Sequence, residues 1–398
     1  MDAERLRVLV VATKPPFSST GGGSVSLHGL LHALPDHGVD IRVVAPGTPP
    51  ASTSAPYPQV CVATHPRPWV RVLPGLLTGW PLMVARYRLP ALARAVEEEI
   101  AHSAPDVVHL EQLHLGWLIQ RIGRRAAVVL RQQNVESLLL ARLAELLPVP
   151  LRWAAQLESR RTARFEAGAC AAADIVAAIS NVDAARLRTL APRARVEVLP
   201  APLVFEAAAA PLPLRGSPPF LCLGSFDWLP NRDGARWLID EVWPRLRHLS
   251  PGGVLHIAGP GSTTLGPAGE RSVERHGRVE AAASLYDPRA VVLIPLRAGS
   301  GVRMRLLEAW AAGVPAVTSP LAGEGMVTGD GDGALVASSA QEFAAAAARL
   351  AEDPELRQRI IESGQAKLTD HDCDRVAARA RQLYVQATDV HRSRDVAR

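Results

Sequence analysis

The sequence predicts an α/β protein built from two doubly wound domains. Three observations carry this reading: short apolar runs alternate with amphipathic stretches, a proline-rich break falls at 200–219, and the same rhythm restarts beyond it. Strands that are apolar along their whole length and separated by helices belong to a parallel sheet covered on both faces. At 398 residues the chain is too long for one comfortable hydrophobic core and suits two.

LRVLVVA (6–12) reads as the first buried strand, and Ser24 to Leu34 as the helix after it. IRVVAP (41–46), VVHL (107–110), AVVLR (127–131) and DIVAAIS (174–180) continue the sheet. Residues 200–219, PAPLVFEAAAAPLPLRGSPP, hold six prolines and no periodicity, which marks a linker. Beyond it follow FLCLGS (220–225), a helix near Asn231 to Leu246, VLHIAGPG (254–261), AVVLIP (290–295), a helix from Val302 to Ala312, and PAVTS (315–319). The expected division is a Rossmann-like domain over 1–200 and a second over 201–372. A terminal helix, 373–398, is expected to return towards the first domain and end in a frayed tail.

Hydrophobic residues at 48% and charged residues at 21% fit a soluble globular enzyme and exclude wholesale disorder. Cys61, Cys170, Cys222 and Cys373 form no CxxC pair and read as isolated reduced thiols of a cytosolic protein. The apolar run at the N-terminus is only seven residues, Leu6 to Ala12, with Arg7 inside it, so a buried strand is expected there rather than a signal peptide. No run is long enough to span a bilayer. The formal charge of +5 suits phosphate-bearing substrates or an anionic membrane surface. No dense basic block with interleaved aromatics points to a nucleic acid.

The most specific motif is AVVLIPLRAGSGVRMRLLEAWAAGVPAVTS, residues 290–319. A strand runs into Gly299-Ser300-Gly301, a helix follows at once, and Gly313 and Pro315 end it. Free N–H groups at such a helix start hold anions. Arg303 and Arg305 fall in the expected first turn, where a positive charge opposes the helix dipole by about 0.3–1 kcal/mol each. A bound diphosphate would remove that penalty. For Arg305 a second reading stands beside this one, an i,i+3 pair with Glu308 on a solvated face.

On these residues the chain resembles the retaining GT-B glycosyltransferases of the family-4 type, nearly end to end. The resemblance implies two Rossmann-like domains facing an interdomain cleft, with acceptor bound by 1–200 and nucleotide sugar by 201–372. It also implies that Glu308 holds the nucleotide ribose. The family's companion glutamate, eight positions earlier, falls on Ser300, so the chain departs from the pattern there. In GSFDWLPNRDG (224–234) the family's arginine and lysine fall on Ser225 and Pro230, and both cations are missing. A branch of the family looks like GS-aromatic-D/x-x-P-N in the first loop and GSG-x-R-x-K/R-x-L-E-A in the second, which is the pattern here. Arg303 and Arg305 are therefore expected to supply the missing charge, with Ser225, Asn231, Ser300 and Gly301 beside the donor. Residues i and i+2 of a helix point about 200° apart, so only one arginine is expected to face the phosphates, Arg303 by preference.

Two further stretches are expected at the site. PPFSSTGGGSVSLHGLL (15–31) brings Gly22 and Gly23 to a helix start, where glycine lets backbone approach a ligand. The resemblance places this loop near the donor diphosphate and the acceptor, with Gly22 and Gly23 on the donor; a plain flexible connection is the alternative. PDVVHLEQLH (105–114) ends a parallel strand where polar side chains face a crevice. The resemblance places Glu111 where the family has a histidine near the transferred sugar, with His114 slightly later and expected on the acceptor side. His109 reads as a satisfied buried histidine, and Glu111 as the candidate for orienting sugar hydroxyls or moving a proton. Gln133 and Asn134 either bond the acceptor or cap the next helix.

GDGDG (329–333) lacks the glutamate of a calcium loop, since position twelve from Asp330 is Gln341. HDCD (371–374) has poor spacing for one metal face. No metal and no cofactor beyond the nucleotide-sugar co-substrate is expected. RPWVRVLPGLLTGWPLMVARYRLP (67–90) reads as a packed excursion, a lid over the acceptor pocket, or a peripheral contact with the inner face of the plasma membrane. The implied reaction moves a sugar, from a UDP-sugar by preference, to a small-molecule, glycan or lipid-linked hydroxyl acceptor with retention. The alternatives are an epimerase or phosphorylase on the same fold, or a non-catalytic nucleotide-sugar-binding protein.

Overall fold

A computed structural model of the chain describes residues 5–16, 22–48, 57–63, 79–206, 208, 210–266 and 271–396. Two compact units emerge: Met1–Val204 together with His371–Arg398, and Phe205–Asp370.

The first unit carries seven strands: β1 (Leu6–Val11), β2 (Val39–Pro46), β3 (Gln59–Val62), β4 (Val107–Glu111), β5 (Ala127–Gln132), β6 (Ile175–Ala178) and β7 (Val196–Val198). They pair in the order β3-β2-β1-β4-β5-β6-β7, all parallel. The continuous apolar runs are explained by the two cores they divide. Leu9 and Val11 of β1 enter one apolar cluster, while Val8 and Val10 enter the other on the opposite face. The helix Cys373–Val396 closes that second face with Val376, Ala377, Ala380, Leu383, Tyr384 and Ala387 against Leu27, Leu30 and Leu31 of the helix Gly22–Ala33. Their spacing is that of one helical stripe.

The second unit has β8 (Pro219–Leu223), β9 (Val254–Ala258), β10 (Val273–Gly277), β11 (Val291–Ile294), β12 (Ala316–Thr318) and β13 (Leu335–Val336). The order is β10-β9-β8-β11-β12-β13, again all parallel. Each sheet is doubly wound, with its strand order reversing once, between β1 and β4 in the first and between β8 and β11 in the second.

Three strands escape the sequence pattern: β3, β7 and β10 lie at sheet edges and carry polar residues. The helix expected over Asn231 to Leu246 is interrupted. An α-helix over Leu229–Trp237 passes through a π turn at Leu238–Val242 into a helix over Trp243–Leu249. Pro244 lacks the N–H that would continue the ladder there. Of the segment 67–90, residues up to 78 lie outside those described. Beyond them Trp80 packs edge-on to Phe165 at 5.4 Å under the Arg88 guanidinium. Among the described residues no helix is long and apolar enough to cross a membrane.

Candidate active site

In the first unit the carboxyl ends of β1 and β4 flank the point where strand order reverses, which is where open α/β sheets bind ligands. A cavity of about 160 Å³ opens there, lined by Thr13, Lys14, Gly23, Ser24, Glu111, Gln112 and Gln133 among others. Three residues singled out from the sequence, Gly23, Glu111 and Gln133, thus come together from three separate elements. Gln133 Nε2 donates to Glu111 Oε1 at 2.5 Å and to the Gly23 carbonyl at 3.3 Å. A Cβ on Gly23 would stand 2.2 Å from Gln133 Oε1, so the helix start can approach this closely only as glycine. Gly22 opens the same helix.

Glu111 is buried at 2% exposure, and its second oxygen is fully engaged. His109 Nε2 lies 2.9 Å from Oε2, and Arg131 Nη1 lies 3.5 Å from it. Burial alone would raise the carboxyl pKa, but Arg131, His109 and Gln133 outweigh it and hold it below the ordinary value. An ionised Glu111 only accepts, so His109 Nε2 carries the proton. His109 Nδ1 shares a hydrogen bond of 2.7 Å with the Tyr384 hydroxyl. The terminal helix is thereby bonded to the floor of the cavity.

Gln112 has no sequence signal. Its φ is +78° with ψ 152°, a backbone region that costs a non-glycine residue about 1–3 kcal/mol. Its side chain accepts from Thr13 Oγ1 at 3.2 Å and donates to Gln133 Oε1 at 3.4 Å. Lys14, also unanticipated, borders the cavity with its amine pKa lowered by burial.

His114 and Asn134 take other places. His114 is on the short turn Leu113–Leu118, edge-on to Tyr87 at 5.3 Å, and does not line the cavity. Burial, reinforced by Arg86, pushes its pKa down to about 4, so it is neutral near pH 7. Asn134 donates to Glu136 Oε1 at 3.3 Å but does not cap the next helix, whose N-cap position is Val135 without a side-chain bond.

In the second unit the loops after β8 and β11 flank the other reversal point, and the donor-side residues lie on these two loops. Asn231 Nδ2 donates to the Ser225 carbonyl at 2.9 Å and closes the first loop. The helix Leu229–Trp237 meets the second loop so closely that a Cβ on Gly234 would stand 2.5 Å from the Pro295 carbonyl oxygen. Arg297 clasps Asp233 across them at 2.9 and 2.7 Å.

The second loop then turns through Gly299 (φ +146°) and Gly301 (φ +78°), with Ser300 buried between them. The helix starts at Met304, so Arg303 caps it from an extended backbone rather than standing in its first turn as expected. The left-handed glycine turn uses up the residues that would have begun the helix. Arg303 is only 9% exposed, and its guanidinium lies on Gly299, with Nη2 2.9 Å from where a Cβ would be. Arg305 takes the other of its two readings: Nη1 donates to Glu308 Oε2. The Tyr286 hydroxyl donates to the same oxygen at 2.7 Å. Burial opposes the Arg305 charge, but Glu308 and Tyr286 outweigh it and raise its pKa. The pair is half-buried rather than on a solvated face.

Two family models match the chain: "Glycosyltransferase Family 4" over residues 20–203 and "Glycosyl transferases group 1" over residues 217–353. The chain belongs to the family-4-type GT-B glycosyltransferases. Solved structures of similar fold extend over nearly all of it. A sucrose-phosphate synthase from Thermosynechococcus elongatus is 17% identical with a TM-score of 0.74, covering 96% of this chain and 99% of that one. HepE of Anabaena, in complex with UDP-glucose, is 13% identical with a TM-score of 0.63, over 95% and 99%. A trehalose-6-phosphate synthase, OtsA, is 15% identical with a TM-score of 0.64, over 96% and 99%. No curated protein matches the chain significantly.

Proposed function

We propose that this glycosyltransferase moves a hexose from a nucleoside diphosphate sugar to a hydroxyl acceptor with retention of configuration. UDP-sugar is the favoured donor, and the setting is bacterial glycan or natural-product biosynthesis in the cytoplasm. The observation that carries the reading is Arg303, a buried cation over a left-handed glycine turn at the start of a helix. Departure of a nucleoside diphosphate builds negative charge on the leaving oxygen. A preorganised guanidinium and the N–H groups near Gly301 are suited to stabilise it without a divalent metal. Glu308, oriented by Arg305 and Tyr286, is assigned to the ribose hydroxyls. Support for the uridine nucleotide comes from HepE, whose structure holds UDP-glucose.

In the first unit we assign the cavity at Glu111 and Gln133 to the acceptor side. The Glu111 carboxylate is held ionised there, which suits it to accept from sugar hydroxyls rather than to donate a proton. No nucleophile is assigned.

The test is incubation with UDP-glucose and candidate acceptors, following free UDP and the anomeric configuration of the product by NMR. Acceptor-dependent UDP release with an α-linked product supports the proposal. An epimerised donor without UDP release would overturn it.

A further inference from the structure

Outside both sites, the second unit brings together three side chains that the sequence separates: His256 on β9, with Glu274 and His276 on β10. β9 and β10 form the edge of the sheet. Leu255, Ile257 and Val273 point into the core, so the intervening His256 and Glu274, paired in register, share the opposite face. The register then breaks between Arg275 and Gly277, leaving His276 as the extra residue of a bulge. Bulges re-aim a side chain at a chosen point, and this one turns His276 towards His256.

The hydrogen bonds decide what the fully buried His256 ring can do. Nε2 lies 2.9 Å from the Arg215 carbonyl, which only accepts, so Nε2 bears the proton and the neutral ring keeps its lone pair on Nδ1. That lone pair faces His276 Nε2 at 2.9 Å and Glu274 Oε2 at 3.4 Å. The other oxygen of Glu274 is held by Arg215 Nη1 at 2.6 Å. Gly216 lets this segment lie against the sheet, since a Cβ there would stand 2.7 Å from the Val254 nitrogen. A histidine whose second nitrogen donates to a backbone carbonyl, beside a carboxylate that is itself hydrogen-bonded, has the outer support of a metal ligand.

We propose that His256 Nδ1, His276 Nε2 and Glu274 Oε2 bind a divalent transition-metal ion of the zinc class. Two imidazoles and a carboxylate are the donor set such an ion prefers, and water completes four-coordination. Metal–ligand bonds of about 2.0–2.1 Å give ligand separations of roughly 3.3 Å in a tetrahedron. The nitrogen–oxygen separation of 3.4 Å already fits. The 2.9 Å between the two nitrogens is that of an N–H···N bond, in which one proton bridges the rings. The metal replaces that proton, and the exposed His276 swings out by a few tenths of an ångström. Bound there, the ion ties the edge strand β10 to β9 and, through Arg215, to the segment leading into β8. The site is separate from the glycine turn at Gly299 and takes no part in sugar transfer.

The test uses the full-length chain without a histidine tag, stripped with a chelator and titrated with Zn²⁺ against a chromophoric competitor. Co²⁺ serves as a second probe, read by its visible tetrahedral bands. We expect one tight Zn²⁺ per chain, a raised Tm, and binding at least about tenfold weaker in both His276→Gln and Glu274→Gln. His276 is exposed, so that variant folds and keeps the comparison valid. Equal affinity in wild type and His276→Gln, or no tight binding at all, overturns the proposal. Loss of UDP release with zinc binding intact would count against the transferase reading alone.

Discussion

Glu111→Gln separates a charge that holds the first unit together from one that acts only on substrate. Arg131 is fully buried, and Glu111 is the carboxylate beside it. Taking away one partner of a buried ion pair costs about 3–5 kcal/mol, because the remaining charge stays desolvated. Glutamine preserves the shape and one acceptor, so the lower end applies, about 3 kcal/mol. In a unit formed by Met1–Val204 and His371–Arg398, each kcal/mol moves Tm by roughly 2–4 °C, which gives a fall of roughly 6–12 °C. Urea unfolding followed by circular dichroism measures it directly. Glu111→Gln combined with Arg131→Met removes both charges and should recover much of the loss, an interaction energy readable from the double-mutant cycle. The effect also has a pH signature. Glu111 titrates below its ordinary value in the fold, so its contribution is present above about pH 4.3 and is lost as pH falls further. A Tm within about 2 °C of wild type, or a double variant no better than the single, would refute the reasoning.

Two further expectations follow from the same structure. Arg303→Ala should lower kcat/KM by about 10²–10³-fold, the loss seen for one preorganised donor, while cooperative unfolding persists; near-normal UDP release would remove the argument for the glycine-turn cation. Glu136 is buried beside Glu166, and burial, with Glu166 adding to it, raises its pKa to about 8. Its folded value lies above the ordinary one, so native stability should decline as pH rises from about 4.3 towards 8. Glu136→Gln should flatten that decline in urea melts taken across the range, and parallel curves for the two proteins would count against it.

Several local features could be read from residues alone. β1, β4, β5, β8, β9 and β11 are mainly apolar runs, because burial on two faces favours apolar residues at most positions of such a strand. The exceptions such as His109, Glu111, Arg131 and His256 are buried polar groups with partners. The glycine turn at Gly299 and Gly301 was legible for a similar reason, because a left-handed backbone demands that residue type. Glu111, Gln133 and Gly23 stood out as polar or glycine residues at strand and helix ends.

Other features depend on chain segments meeting, and no local pattern encodes them. Sequence left Arg305 with two partners to choose from; the placement of Tyr286 beside Glu308 draws it to that carboxylate, leaving Arg303 over the glycine turn. The strain at Gln112 arises where β4 turns against β5, a contact between residues about twenty positions apart. His114 was near enough in sequence to suggest the acceptor, but the turn Leu113–Leu118 directs it to Tyr87. His256 and His276 carried no spacing signal, because a strand pairing and a one-residue bulge bring them together. Periodicity and backbone demand are local properties of a chain, so the sequence by itself determined the α/β strands and the glycine turn. Charge pairing, strain and ligand clustering depend on which segments become neighbours, and only the tertiary structure decided those.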